Sequence, residues 1–347
     1  MSDREPQPTL SSEAAVAALR GAGESTRLRI LALLAKRELN VKDLTQILGQ
    51  SQPRISRHLK LLAEAGLIGR FREGSWVFFR LADTGAEAAL AEAIVGSLDC
   101  EDAVIARDAA RAEAVQKARA EAAQSYFRAH APEWDRIRSL HVAEDQVEAA
   151  MLDALGEGPF ELLVDLGTGT GRIIELFGGA ATRALGFDVS HEMLSYARMK
   201  LERAGLSHAQ ARHGDIFNVP LADGAADAVV LHQVLHFLDE PALALSEAAR
   251  LLAPGGKLLI VDFAPHDVEF LREEQAHTRL GFPSDQIARW CAEAGLRLTR
   301  HTDLSPQGDT PEKLTVSLWL AEKPAEAEAG PDIEPNTKQN SSVEVAA

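Results

Sequence analysis

Between residues 162 and 172 the chain reads Leu162-Leu163-Val164-Asp165-Leu166-Gly167-Thr168-Gly169-Thr170-Gly171-Arg172. An apolar run of strand length is followed by three glycines at alternate positions, and Arg172-Ile173-Ile174-Glu175-Leu176 then reads as a helix start. Glycine is needed where a chain turns sharply from strand to helix and a ligand must touch its backbone. Two phosphate-binding versions of such a turn are excluded by residue type: a dinucleotide fingerprint wants Gly or Ala where Arg172 stands, and a phosphate loop ends in Gly-Lys-Ser/Thr. Asp188 closes the next strand candidate 17 residues beyond Gly171. An ionised carboxylate only accepts hydrogen bonds, which suits the two hydroxyls of a ribose. Asp215 follows the third strand candidate and His232 the fourth. Taken singly, Asp188 or Asp215 could be a cap or turn residue; their order and spacing argue for a pocket.

The elements that must position these residues alternate. Strand candidates are 161–166, 184–188, 209–213, 226–231, 257–262, 296–301 and 314–321, with helices at 172–177, 190–204, 240–252 and 284–294. The strand–helix alternation implies a parallel sheet, and the last two strands have no helix between them. Ser190 is placed to cap the helix after Asp188.

The run Asp165-Leu166-Gly167-Thr168-Gly169-Thr170-Gly171 resembles motif I of the class I S-adenosylmethionine (SAM) methyltransferases, an α/β fold with a seven-stranded Rossmann-like sheet whose last strand is antiparallel. The resemblance implies SAM or S-adenosylhomocysteine as ligand, held by Asp165, Gly167, Thr168, Gly169 and Gly171. Asp188 and Val189 would take the ribose end, with Met193 under the adenine. Asp215 would accept from the adenine amino group, the backbone of Ile216 would read a ring nitrogen, and His232 would stand beside the pocket. Leu252-Ala253-Pro254-Gly255-Gly256-Lys257-Leu258 resembles the loop before the fifth strand of that fold. Ahead of the first strand, Tyr126 and Trp134 could roof the pocket or pack in a core.

No catalytic residue is identifiable. Methylation of amide or nucleobase nitrogens goes with Asn/Asp-Pro-Pro-Tyr/Phe after the fourth strand, and this chain has Leu231-His232-Gln233-Val234 there. Arsenite methylation would need several thiolates, and only Cys100 and Cys291 are present. His232 or His236 could be a general base or a pocket wall.

A second chemistry lies towards the N-terminus. Helix signals at 11 to about 21, 25–36 and 41–48 precede a fourth helix with Ser51 at its cap and Pro53 in its first turn. Ile55, Leu59 and Leu62 share one face of it, and Arg54, Arg57 and Lys60 point away, with Ser56 and His58 on the flanks. Runs 67–72 and 76–81, separated by Glu73-Gly74-Ser75, signal a hairpin. From Ser51 to Arg80 six basic residues face two acidic ones, net +4 in a chain of net −16. That is the electrostatic footprint of a DNA face.

Ser51-Gln52-Pro53-Arg54-Ile55-Ser56-Arg57-His58-Leu59-Lys60-Leu61-Leu62, with Ala65-Gly66-Leu67-Ile68, resembles the recognition helix of the ArsR/SmtB repressors, a winged helix-turn-helix family. It implies a homodimer on a palindromic operator of double-stranded DNA. Gln52, Arg54, Ser56, Arg57, His58 and Lys60 would serve the major groove, with Arg70 and Arg72 near phosphate or the minor groove. Metal-sensing members carry Cys-Val-Cys where this chain has Asn40-Val41-Lys42, and no histidine lies between Leu81 and Arg128. Sensing of arsenite or zinc by those routes is therefore argued against, and no metal site is expected.

The organisation read from the sequence is a polar, disordered 1–10, a winged-helix domain 11–96, a helical connector or dimerisation segment 97–135, a methyltransferase-like domain 136–322 and a disordered tail 323–347. The connector is rich in Ala, Arg and Glu and lacks Pro and Gly from 97 to 131, so it predicts a stiff helix rather than a loose linker. Two cysteines, no apolar run long enough to span a bilayer and no secretory signal point to a cytoplasmic protein. The whole resembles fusions of an ArsR-type repressor with a SAM-methyltransferase domain, some of which regulate methionine and SAM-cycle genes in response to S-adenosylhomocysteine. The alternative is a working methyltransferase on a small metabolite, fused to a domain that controls its own operon.

Overall fold

The computed structural model describes residues 9–73, 75–134, 144–305 and 314–325. The expectations for 1–8 and for the tail from 326 onward lie outside the described residues. So does the segment 135–143 that precedes the first strand of the large sheet.

The N-terminal domain packs α1 (Ser12–Ala22), α2 (Ser25–Leu34), α3 (Val41–Leu48), α4 (Gln52–Glu64) and α5 (Gly85–Gly96) around one core. Its small sheet has the order β1 (Leu39–Asn40), β3 (Trp76–Leu81), β2 (Ile68–Glu73), all antiparallel. Local chemistry sets the helix ends. The Ser11 side chain accepts from Ala14 N–H, Asn40 and Asp43 form a reciprocal capping box, and Gly49 closes α3 in the left-handed region. Ser51 stands at the cap of α4, but its side chain makes no capping hydrogen bond; Pro53 in the first turn needs no N–H partner. Ile55, Leu59 and Leu62 are buried, as their spacing requires.

The connector is not helical throughout. Residues 97–102 turn, and Asp102 caps a new helix, α6 (Ala103–His130), by accepting from the N–H groups of Val104 and Ile105. Helix propensity alone does not register this break, because an Asp cap outweighs it. Ala112 and Val115 of α6 enter the N-terminal core.

The C-terminal domain is a seven-stranded sheet in the order β6 (Ala209–His213), β5 (Ala181–Asp188), β4 (Phe160–Leu166), β7 (Ala226–His232), β8 (Leu252–Phe263), β10 (Val316–Glu322), β9 (Arg297–Leu304). Strands β6 to β8 are parallel; β10 runs antiparallel to both its neighbours. It is a Rossmann-like α/β sheet, as the strand–helix alternation implies. Around it lie α7 (Glu144–Leu155), α8 (Arg172–Phe177), α9 (His191–Arg203), α10 (Pro241–Leu251), α11 (Phe270–Glu274) and α12 (Ser284–Glu293). Separate apolar cores cover the two faces of the sheet, as a parallel sheet buried on both sides demands. Strand order reverses between β4 and β7, where the carboxyl ends of the strands open a crevice.

Candidate functional site

The crevice is a cavity of about 370 Å³, at the small end of the range for pockets that bury a drug-sized ligand. Its floor is the turn after β4. Gly167 and Gly171 have φ of +78° and +83°, and a Cβ on Gly167 would fall 2.5 Å from Val234 Cγ2. Glycine is therefore demanded there both by backbone conformation and by the close approach of the loop after β7. Asp188, at the end of β5, receives the Gly169 N–H on Oδ2 at 2.9 Å and the Ser190 N–H on Oδ1 at 2.8 Å. It fastens the glycine turn to the β5 loop while each oxygen keeps a further acceptor direction for a ligand hydroxyl. Burial pushes its carboxyl above the usual carboxylate range, opposed by the backbone N–H groups of Ser190, Gly169 and Val189. The Ser190 hydroxyl accepts from Met193 N–H and caps α9.

Of the residues singled out for the ligand, the cavity wall includes Gly167, Thr168, Gly169, Asp188, Val189, Met193, Asp215, Ile216 and His232. Asp165 and Gly171 do not reach it. Asp165 is 1 % exposed at the end of β4, and Gly171 is the left-handed cap of α8, so both shape the turn from behind. Asp215 is exposed at the rim, where its Oδ1 accepts the Phe217 N–H. Gln233, next to His232 on the wall, has φ of +51°, an uncommon conformation for a non-glycine residue.

Of the roof, the sequence pointed to Trp134 but not to the α6 residues or Phe237. Ala120, Ala123, Gln124 and Phe127 of α6 line the cavity, with Trp134 beyond them and Phe237 opposite. Phe127 meets Trp134 edge-on at 5.2 Å, and a Cβ on Gly169 would lie 3.6 Å from Trp134 Nε1. Trp134 is thus a pocket residue, whereas Tyr126 packs at a tilt against His130 instead, 4.2 Å between ring centres. His236 is buried behind the wall with Nδ1 2.7 Å from Asp262 Oδ1.

The second surface is α4 with the wing. Gln52, Arg54, Ser56, Arg57 and Lys60 are exposed on the face opposite the core, as are Arg70 and Arg72 on β2. His58 is turned aside, its Nδ1 3.5 Å from Glu24 Oε2. Burial lowers its pKa and Arg27, Arg54 and Arg57 lower it further, against the pull of Glu24. Arg80 pairs with Asp83 at 2.8 Å. No helix among the described residues is long and apolar enough to cross a membrane.

An exposed basic helix with a wing, followed by a glycine-turn pocket at the switch point of a seven-stranded sheet, defines a two-domain chain of DNA-binding and methyltransferase folds. A model of the bacterial regulatory protein arsR family matches residues 24–69, and a methyltransferase-domain model matches 164–260. The chain belongs to the SAM-dependent methyltransferase family through its C-terminal domain and carries an arsR-family DNA-binding domain before it. It is 33% identical to a phosphatidylethanolamine N-methyltransferase of Cereibacter sphaeroides over 42% of this chain and 75% of that one. It is 35% identical to a protein in transposon TN4556 of Streptomyces fradiae over 43% and 47% respectively, and 36% identical to an arsenite methyltransferase of Aquipseudomonas alcaligenes over 29% and 32%. The chain thus spans about half of the second relative and a third of the last. The methyltransferase fold implies SAM or S-adenosylhomocysteine as ligand. The residues present fit that chemistry: a carboxylate with spare acceptor directions, a glycine turn without a phosphate cradle, and an aromatic and apolar roof.

Proposed function

We propose that the chain is a transcriptional regulator, a repressor, in which S-adenosylhomocysteine or SAM in the C-terminal pocket is the effector. On this reading it is a cytoplasmic homodimer on a palindromic operator, controlling genes of methionine and SAM metabolism. The observation that carries the reading is that one helix serves both domains. The first two-thirds of α6 is fastened to the DNA-binding domain. Arg29 Nη2 donates to Asp108 Oδ1 at 2.8 Å, Arg37 Nη1 to Gln116 Oε1 at 2.7 Å, and Arg111 Nη1 to the Ile47 carbonyl at 3.2 Å. Its last third is the pocket roof. Between the two, Arg119 donates to Asp43 of α3 and, at 3.1 Å, to Asp239 beyond the pocket wall. A ligand that shifts the roof therefore acts on α2 and α3, against which α4 packs. Couplings of roughly 1–3 kcal/mol, about 5- to 150-fold in affinity, are the usual size for such linkage.

The second reading, an active methyltransferase on a small metabolite, is favoured by the enzyme relatives. Arsenite as acceptor is disfavoured by Cys100 being exposed and Cys291 buried. The deciding experiment is a DNA-binding titration on the promoter upstream of the gene, with SAM and S-adenosylhomocysteine added in turn. A midpoint that moves with neither sinks the sensor reading. Turnover of labelled SAM in cell extract, at the rate of ordinary methyltransferases, favours the enzyme.

A further inference from the structure

The wing has two faces. Arg70 and Arg72 are exposed on one; the other is covered by the C-terminal domain. There Arg272 of α11 donates Nη2 to Glu73 Oε1 at 2.6 Å and lies over the Trp76 ring, 4.5 Å from its centre. Arg279 donates Nη1 to Glu38 Oε2 at 2.9 Å, stands 3.6 Å from Glu73 Oε2, and covers Phe78 at 4.8 Å. Glu73 accepts the Leu280 N–H as well, and Glu269 accepts the Ser75 N–H from the wing tip. The side chains of Arg272, Arg279 and Glu73 are 4, 3 and 9 % exposed.

Such a cluster is not a simple fastening. Two guanidinium groups leave water to meet the wing, and the Nε of each has no partner among the described residues. Desolvation of buried ions offsets much of their attraction, so the contact sits near balance and a small displacement can make or break it. It is also wired to the pocket. The His236 carbonyl accepts the N–H groups of Thr278 and Arg279 at 2.9 and 3.0 Å, and the next residue, Phe237, is pocket wall. Displacing Phe237 by a ligand moves the peptide that seats the Arg279 backbone.

We propose that the covered face of the wing is an output contact of the pocket: an Arg272–Glu73–Arg279 clamp whose engagement depends on nucleoside occupancy and sets where Arg70 and Arg72 stand relative to α4. This rests on the sensor reading and adds to it a route to the wing separate from α6. A recognition helix and a wing that must contact one DNA site together are sensitive to their relative placement, so the clamp regulates affinity without touching DNA.

The test uses the full chain, with E73Q and W76A variants. Fluorescence anisotropy on the upstream promoter fragment gives the DNA Kd with and without saturating S-adenosylhomocysteine or SAM, and calorimetry gives each nucleoside Kd. For the wild type, a nucleoside shifts the DNA Kd by a factor in the roughly 5- to 150-fold range. In E73Q the nucleoside Kd stays within about threefold of wild type while the DNA shift collapses towards one. W76A, which removes a half-buried ring and strands no charge, loses part of the shift and serves if E73Q fails to fold. Both variants keeping the full wild-type shift would overturn the clamp and leave the sensor reading standing. No shift in the wild type would overturn both.

Discussion

Phe127 of α6 meets Phe237 of the pocket wall edge-on, with ring centres 4.7 Å apart. That one contact joins a helix rooted in the DNA-binding core to the loop after β7. Replacing Phe127 by Ala removes the edge-on pairs with Phe237 and Trp134, each worth about 0.5–1.5 kcal/mol, and opens the roof. Nucleoside affinity measured by calorimetry is expected to fall about tenfold, whereas F127L, which keeps most of the apolar bulk, stays closer to wild type. An F127A protein that binds and responds as wild type does would remove the roof from the coupling.

Asp188 anchors the Gly169 and Ser190 N–H groups, and on the proposed reading it also accepts from the ligand. Alanine there would orphan both backbone donors, whereas Asn keeps an acceptor for one of them, so D188N is the milder variant. Loss of a charged acceptor costs about 1.5–3 kcal/mol, roughly 10- to 150-fold in nucleoside Kd, with DNA affinity in the absence of nucleoside unchanged. The pH dependence has a definite sign. Burial raises the Asp188 carboxyl, and a proton competes with the ligand for its lone pairs. Affinity therefore falls on acidification, beginning at a higher pH than an ordinary carboxylate would give. Calorimetry from neutral to mildly acid pH checks this, and D188N should flatten the profile.

On the other surface, Arg54 and Arg57 are exposed and form no ion pair among the described residues, whereas Lys60 lies 3.7 Å from Glu64. R57A is expected to lower the magnitude of the salt slope of DNA binding by about one. An unchanged slope would take Arg57 off the phosphate backbone.

Arg119 stands between Asp43, which is 1 % exposed, and Asp239. Burial raises the Asp239 carboxyl, with Arg119 and Arg279 opposing. R119M removes the guanidinium between the two acids and leaves Asp239 with only the opposing charge of Arg279. Removing one partner of a buried pair costs about 3–5 kcal/mol, and since Arg119 is 30% exposed the lower end is expected. Urea denaturation measures it.

Cys291 is fully buried, and burial pushes its thiol up to about 11, while Cys100 is exposed. At pH 8 a thiol reagent should label Cys100 quickly and Cys291 only after unfolding. Rapid labelling of both in the native protein would contradict the packing around α12.

The sheet was legible because its signals are local. An apolar run ending in Gly167, Asp188 at a strand end with Ser190 two residues on, and the strand at 209–213 each carry their own chemistry. The strand β8 begins earlier than its apolar run, at Leu252, because the Ala253–Gly256 segment bulges out of register with β7 while Gly255 and Gly256 bond to Lys323. Nothing local marks the contacts between domains. Glu73 and Arg279 read as ordinary surface charge, and only tertiary structure brings residues 206 positions apart together. The Ala120, Ala123 and Phe127 face of α6 was hidden for a related reason. A helix that gives one stretch to one core and the next to another has no single apolar stripe to detect.

Because α6 is shared, influence on the proposed coupling must run both ways. Operator DNA that favours one seating of the helix changes how firmly the cavity keeps its nucleoside, by the same factor that the nucleoside changes the grip on DNA. Copies of the protein resting on a promoter and copies free in solution would then respond to different metabolite concentrations. The threshold of the switch would belong to the gene it occupies as much as to the protein.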